Sequence, residues 1–218
     1  AGTRHVVFVS SDKAVVPASV LGLTKRFGEL LTIAAGRATA AGYCVVRFGN
    51  VLGSAGSVVP LFTRQIDRGG PLTITHPAAT RYFMTIPEAA GLLVEAAAIA
   101  GPGDLLVLEM GTAVPIVELA RKMVRLRGLR TPGDVDMAFI GLRPGEKLEE
   151  RLLFPHETPL PTAHPHVLRA ESGDELPELA ALRDALGAIE ARLASHDAEG
   201  AIAVLRAAVT APAAPVAP

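Results

Sequence analysis

Apolar residues recur along the chain in two alternating rhythms. Residues 5–9 form a short β-type run closed by the polar stretch Ser10-Ser11-Asp12-Lys13. Residues 19–41 then place Val20, Leu23, Phe27, Leu30, Leu31 and Ala34 at helical spacing. Gly42 ends that helix, and residues 43–48 read as a fully buried strand with Cys44 in its core. A glycine-rich loop over 49–56 leads into a helix over 59–67. Further strands are expected at 72–75, 105–110 and 135–140, and further helices at 87–100 and 115–127. This β-α-β-α alternation predicts an α/β fold, a parallel sheet covered by helices, with ligands at the carboxyl ends of the strands.

The later part of the chain reads differently. Gly141-Leu142-Arg143-Pro144-Gly145-Glu146-Lys147 predicts a loop entering a helix over 148–153. Residues 155–167 carry four prolines and three of the six histidines, which predicts an extended connector. A helix over 176–193 follows, with Leu179, Leu182, Leu186, Ile189 and Leu193 spaced three or four apart, so it needs a partner surface. A shorter helix is expected at 198–209, and the Ala-Pro tail at 211–218 is expected to be disordered.

Composition narrows the function classes. The 218 residues are 50% hydrophobic, and 21 basic against 22 acidic side chains leave a net charge of -1, which excludes a general nucleic-acid binder. Mean hydropathy is high at +0.36. The longest apolar run, 89–100, is interrupted by Glu95 and falls short of the roughly 20 residues of a membrane span. The single cysteine excludes an internal disulfide or a cysteine-rich zinc site and fits a reducing compartment, so a cytoplasmic location is expected. His164 and His166 lack further obvious ligands, and no metal site is expected. The loop over 49–56 imitates a dinucleotide fingerprint, but its G-x-x-x-G-x-x-G spacing and the lack of a following acidic partner make it a substrate-pocket loop.

Only four lysines stand against seventeen arginines, and two of them, Lys13 and Lys25, lie at the end of the first strand and on the next helix. Lysine is the cation whose pKa burial or a neighbour can lower, whereas arginine stays charged. Ser11, Asp12 and Lys13 thus offer a hydroxyl, a carboxylate and an amine where α/β enzymes place their chemistry. A capping Asp beside a surface Lys is the competing reading, and pattern alone leaves both open.

The segment Phe8-Val9-Ser10-Ser11-Asp12-Lys13-Ala14-Val15 with Gly22-Leu23-Thr24-Lys25-Arg26 resembles the catalytic region of the extended short-chain dehydrogenase/reductase superfamily. Further matches follow in order: Arg47-Phe48-Gly49-Asn50-Val51-Leu52-Gly53-Ser54, Thr75-His76-Pro77, Thr80-Arg81-Tyr82-Phe83-Met84-Thr85-Ile86 and the 141–147 loop. Together they are similar to the CapD-like polysaccharide-biosynthesis branch, the UDP-N-acetylglucosamine 4,6-dehydratases. The resemblance implies NAD or NADP as cofactor, oxidation at carbon 4 of a UDP-sugar, loss of water across carbons 5 and 6, and return of the hydride to carbon 6. It implies that Ser11 holds the sugar hydroxyl, Asp12 protonates the leaving hydroxyl, Lys13 is the base at carbon 5, and Lys25 binds the nicotinamide ribose. It also implies that Arg81 and Arg143 meet the diphosphate, Glu146 the ribose, and Asn50 the sugar and phosphate. One position departs: the superfamily tyrosine four residues before the lysine is Leu21 here, so either Ser11 or Asp12 compensates as the initial base or the chain is a catalytically weakened relative.

The expected organisation is the C-terminal part of a Rossmann-type doubly wound sheet over 1–70, a smaller α/β substrate-binding region over 71–154, and a connector with C-terminal helices over 155–210. The dinucleotide turn that normally opens the family is absent from these residues, so the chain reads as the back half of an enzyme, with any membrane anchor left to a region upstream. An uncovered strand edge predicts self-association or dependence on a missing half. A related epimerase or reductase, or a noncatalytic nucleotide-sugar-binding module, are the competing functions.

Overall fold

The computed structural model describes residues 3, 5–39, 41–54, 56–173 and 176–210. In chain order these form β1 (His5–Val9), a single 3-10 turn (Asp12–Ala14), α1 (Val20–Thr39), β2 (Gly42–Arg47), β3 (Asn50–Val51), α2 (Val58–Asp67), β4 (Leu72–Ile74), β5 (Thr80–Arg81) and β6 (Phe83–Met84). Next come α3 (Ile86–Ile99), β7 (Leu105–Leu108), β8 (Val114–Pro115), α4 (Ile116–Leu126), β9 (Met137–Phe139), β10 (Glu157–Pro161), β11 (Val167–Ser172), α5 (Leu179–Ala194) and α6 (Ala198–Thr210). The anticipated α/β alternation is present. The predicted tail at 211–218 lies outside the described residues.

The chain divides into two compact units, one of residues 1–48, 92–109 and 151–218, the other of 49–91 and 110–150. The blocks expected from the sequence were consecutive, whereas these units draw on alternating stretches.

The first unit is built on a five-stranded sheet in the order β1-β2-β7-β11-β10. β1, β2 and β7 run parallel, with Val9 opposite Val46 and Val46 opposite Leu106. β11 and β10 close the far edge antiparallel. Ile33 of α1 packs with Val45 and Leu105 of the sheet. Leu23, Phe27, Leu30 and Ala34 of the same helix pack against Leu182 of α5 and Leu205 of α6. α1 is therefore a middle layer, with the α5–α6 hairpin as the partner surface that the amphipathic pattern of 176–193 required. Val20, expected on the apolar face, is instead half exposed at the first turn of α1.

Two sequence expectations fail here. The proline-rich stretch is not a connector: it forms β10 and leads into β11. β10 tolerates Pro159 and Pro161 because it lies at the sheet edge and pairs on one side only. The helix expected at 148–153 does not form. The Leu148 carbonyl, which would begin that helix, accepts from Arg81, and the Leu152 carbonyl accepts from Arg47.

A charged network lies inside the first unit. Arg47, at the end of β2, is fully buried and donates from Nε and Nη2 to both oxygens of Glu29 at 2.9 and 2.8 Å. Its Nη1 reaches Glu157 Oε2 at 2.7 Å and Leu152 O at 2.8 Å. Arg26 adds a bond of 3.0 Å to Glu29, and its guanidinium lies over the Phe154 ring. Burial pushes the Glu29 carboxyl up, but the charge and hydrogen bonds of Arg47, with Arg26 and Ser10, outweigh it and hold Glu29 below the ordinary carboxylate range. Burial likewise pulls Arg47 down, and Glu29 and Glu157 raise it on balance. By contrast, the Cys44 thiol is pushed up to about 11 by burial and by Asp104, as an inert core residue requires.

The second unit has a core of Phe62, Ile66, Leu72, Ile74, Val117, Ala120, Val124 and Val135, drawn from α2, β4, α4 and the turn before β9. Three two-stranded pairings frame it: β3 with β6, β4 with β9, and β5 with β8. Among the described residues, no helix of the chain is long and apolar enough to cross a membrane.

Two measurements test this packing. Arg47→Met leaves Glu157 without its ion-pair partner and Glu29 paired with Arg26 alone, and should cost about 3–5 kcal/mol in urea unfolding. Because Glu29 titrates lower folded than unfolded, its stabilisation is complete above the unfolded value of about 4.3 and is lost as pH falls through the folded one. The urea midpoint should fall over that acid range, and fall less steeply in Glu29→Gln. Close approach of α1 is tested at Gly22, where a Cβ would collide with the backbone carbonyl of Lys13. Gly22→Ala should destabilise by about 1–3 kcal/mol, whereas Gly91→Ala on open helix surface should stabilise by about 0.5–1 kcal/mol.

Candidate active site

β1 delivers the chain to Ser11, Asp12 and Lys13 at its carboxyl end. The exit is pinned to β2 by Ser10 N to Val46 O at 2.8 Å and Asp12 N to Phe48 O at 3.1 Å. Ser11 caps the 3-10 turn, its Oγ accepting from Lys13 N at 3.3 Å while donating to Asp12 Oδ1 at 2.7 Å. Lys13 Nζ donates to the same Oδ1 at 2.9 Å. Asp12 is fully buried, and its Oδ2 has no hydrogen-bond partner among the described residues. A buried acceptor without a protein partner is costly, so this oxygen calls for a hydrogen bond from a water or a ligand hydroxyl.

The turn leaves through Val16, an exposed β-branched residue at φ 44°. Backbone strain of this kind is held where the surroundings over-determine it, and it clusters at reactive loops. Lys25, on α1, donates Nζ to Val9 O at 3.0 Å, with the ammonium above the Phe8 ring. Leu21, one turn earlier on α1, is 55% exposed and offers no proton-transfer group.

Asn50, Arg81, Arg143 and Glu146 belong to the second unit. Asn50 opens β3, its N–H bonded to Tyr82 O at 3.0 Å. Arg81 is buried, and its Nη groups are engaged by Thr80 O, Leu148 O and Lys147 O at 2.7–3.0 Å and by Glu146 Oε1 at 3.2 Å. Glu146 also accepts from Thr75 Oγ1 at 2.8 Å and from Arg143 N at 3.2 Å. These bonds give the 141–147 loop its shape. The Arg143 guanidinium is exposed and has no ion-pair partner among the described residues. The structure thus joins Ser11, Asp12 and Lys13 to one another and Arg81, Arg143 and Glu146 to one another.

Sequence reasoning missed Ser10, Glu29 and Glu157. The available signals were a carboxylate one turn after Lys25, on a helix otherwise apolar at that face, and an arginine ending the apolar run Cys44-Val45-Val46. Both mark charges that must be paired if buried.

Comparison with known proteins agrees with these motifs. The family described as polysaccharide biosynthesis protein matches residues 1–172. The probable polysaccharide biosynthesis protein EpsC of Bacillus subtilis is 49% identical over 175 residues, 79% of this chain and 29% of its own length. The capsular polysaccharide biosynthesis protein CapD of Staphylococcus aureus is 51% identical over 152 residues, 69% of this chain and 25% of its own. A UDP-glucose 4-epimerase of Rickettsia canadensis is 40% identical over 151 residues, 68% of this chain and 43% of its own. The chain therefore spans less than half the length of these curated relatives. The crystal structure of Pen from Bacillus thuringiensis superposes with a TM-score of 0.68 at 32% identity, covering 78% of this chain and 54% of Pen. The dTDP-glucose 4,6-dehydratase DesIV of Streptomyces venezuelae, solved with NAD, shares the fold at 20% identity and a TM-score of 0.60, covering 69% of this chain and 52% of its own. On a match over four fifths of its residues, the chain belongs to the polysaccharide biosynthesis protein family, within the extended short-chain dehydrogenase/reductase superfamily.

Proposed function

We propose that the protein carries the chemistry of a nucleotide-sugar 4,6-dehydratase, taking UDP-N-acetylglucosamine to its 4-keto-6-deoxy form for a surface polysaccharide. The observation that supports this reading best is the contact of Ser11, Asp12 and Lys13 at the end of a parallel strand, with Asp12 Oδ2 buried and unpartnered.

Loss of water beside a ketone takes a proton from carbon 5 and gives one to the hydroxyl leaving carbon 6. Asp12 and Lys13 are joined by one 2.9 Å bond. With the bridging proton on Asp12 the pair is an acid and a base side by side; with it on Lys13 the pair is an ion pair. Elimination moves the carbon 5 proton to Lys13 Nζ and the Asp12 proton to the departing oxygen, so the pair ends ion-paired. Lys13 then holds the proton that carbon 5 needs back. Ser11 Oγ, which donates to Asp12 Oδ1, passes the carbon 4 proton to the Asp12 carboxylate in place of the missing tyrosine, and this is the proton that Asp12 then gives to the departing oxygen.

NAD or NADP, when bound, supplies the oxidation at carbon 4 and returns the same electrons at carbon 6. Lys25 fits that cofactor: one ammonium proton goes to Val9 O, leaving two donors for ribose hydroxyls. Arg143 offers its exposed guanidinium to the diphosphate, and Asn50 an amide to the sugar and phosphate. Arg81 holds the 141–147 loop that presents Arg143 and Glu146, and Glu146 Oε2, with a single bond to Arg143 N, keeps capacity for a ribose hydroxyl.

A C4 epimerase is the second reading, favoured by the likeness to the Rickettsia enzyme. An epimerase has no need of an acid and a base across carbons 5 and 6, which the Asp12–Lys13 pair supplies. The test is incubation of the full-length protein with UDP-N-acetylglucosamine. A 4-keto-6-deoxy product should form, and Asp12→Asn and Lys13→Ala should each lower kcat by roughly a hundredfold to ten-thousandfold. Undiminished product from Lys13→Ala refutes its role as base. In calorimetry UDP should bind and Arg143→Ala should weaken it; absence of UDP binding by the wild type defeats the nucleotide contacts.

A further inference from the structure

Ser10 stands between β1 and the reacting residues and is 4% exposed. Its hydroxyl donates to Glu29 Oε1 at 2.6 Å. One turn earlier on α1, Lys25 donates to Val9 O at 3.0 Å. Two consecutive residues leaving β1 are therefore tied by side chains to two successive turns of the same helix.

These ties differ from the bonds within the reacting loop. Ser11 to Asp12 and Lys13 to Asp12 set the loop's internal shape, and the Asp12 amide ties its backbone to Phe48 O. Glu29, by contrast, is held at both oxygens by Arg47, which is held in turn by Glu157 of β10 and by Leu152 O. The anchor that Ser10 grips is thus immobilised by three separate segments, and Glu29 stays ionised as a strong acceptor.

We propose that Ser10 is a positioning residue, its hydroxyl coupling the Glu29–Arg47–Glu157 network to the loop of Ser11, Asp12 and Lys13 so that the acid–base pair is aimed from the buried network. This rests on the reading of that loop as the reacting one. A loop set this way loses its aim when the hydroxyl is removed, even though every residue that touches substrate is intact.

The test is amide hydrogen exchange and steady-state kinetics on full-length Ser10→Ala. The amides of Asp12, Ala14 and Val15, bonded to Phe48 O, Ser11 O and Asp12 O, report on the loop, and that of Val45, bonded to Asp104 O, on the sheet. The expected result is exchange about tenfold faster at the loop amides with Val45 unchanged, the loss of one charge-assisted hydrogen bond. With it should come about a tenfold fall in kcat and a KM for the nucleotide sugar within about twofold. Unchanged loop exchange, or equal acceleration at Val45, overturns the positioning role whatever the kinetics show. Faster loop exchange with unchanged kcat overturns it as well. A wild type that dehydrates no sugar defeats the reaction reading, and the exchange comparison then decides the coupling by itself.

Discussion

Within the first unit, the fully buried guanidinium of Arg47 is the constraint on which the other arrangements depend. A charge without water must be paired on every side, and here the pairing partners come from α1, from β10 and from the carbonyl of Leu152. Meeting that demand fixes where α1 lies along β2 and where the chain returns as β10.

α1 carries three duties at once. Its glycines let the backbone approach closely, at Gly22 against Lys13 O and at Gly36 against Gly103 and Tyr43. Its apolar stripes are buried on two sides, against the sheet and against α5 and α6. Its polar residues Lys25 and Glu29 reach back to Val9 and Ser10. A helix gripped through backbone, core and charge is a rigid mount for the loop of Ser11, Asp12 and Lys13, as the proposed proton transfers would require.

Much of this was legible in the sequence. Periodicity located β1, α1, β2, α2, α3, α4 and the C-terminal helices because their apolar spacing reflects local packing. Motif order singled out Ser11, Asp12 and Lys13, which the structure brings into mutual contact because they are neighbours in sequence. What escaped was non-local. β10 hides behind prolines that only an edge position excuses, and within 148–153 the Leu148 carbonyl bonds Arg81, 67 residues away along the chain, in place of a helical partner. Glu29 and Glu157 look like surface carboxylates until Arg47 is placed between them. Arg81, expected at a diphosphate, spends most of its donors on Glu146 and on the carbonyls of Lys147 and Leu148, far along the chain, which pattern cannot reveal.

In the proposed reaction Asp12 and Lys13 work as an acid and a base across carbons 5 and 6 of a nucleotide sugar. A proton taken by Lys13 joins an ammonium whose protons exchange with water, so the proton returned to carbon 5 comes from solvent. The most direct measurement is NMR of the product formed from UDP-N-acetylglucosamine in deuterium oxide. The account predicts a 4-keto-6-deoxy sugar with deuterium at carbon 5. A sugar inverted at carbon 4, with its 6-hydroxyl retained and no deuterium at carbon 5, would contradict it.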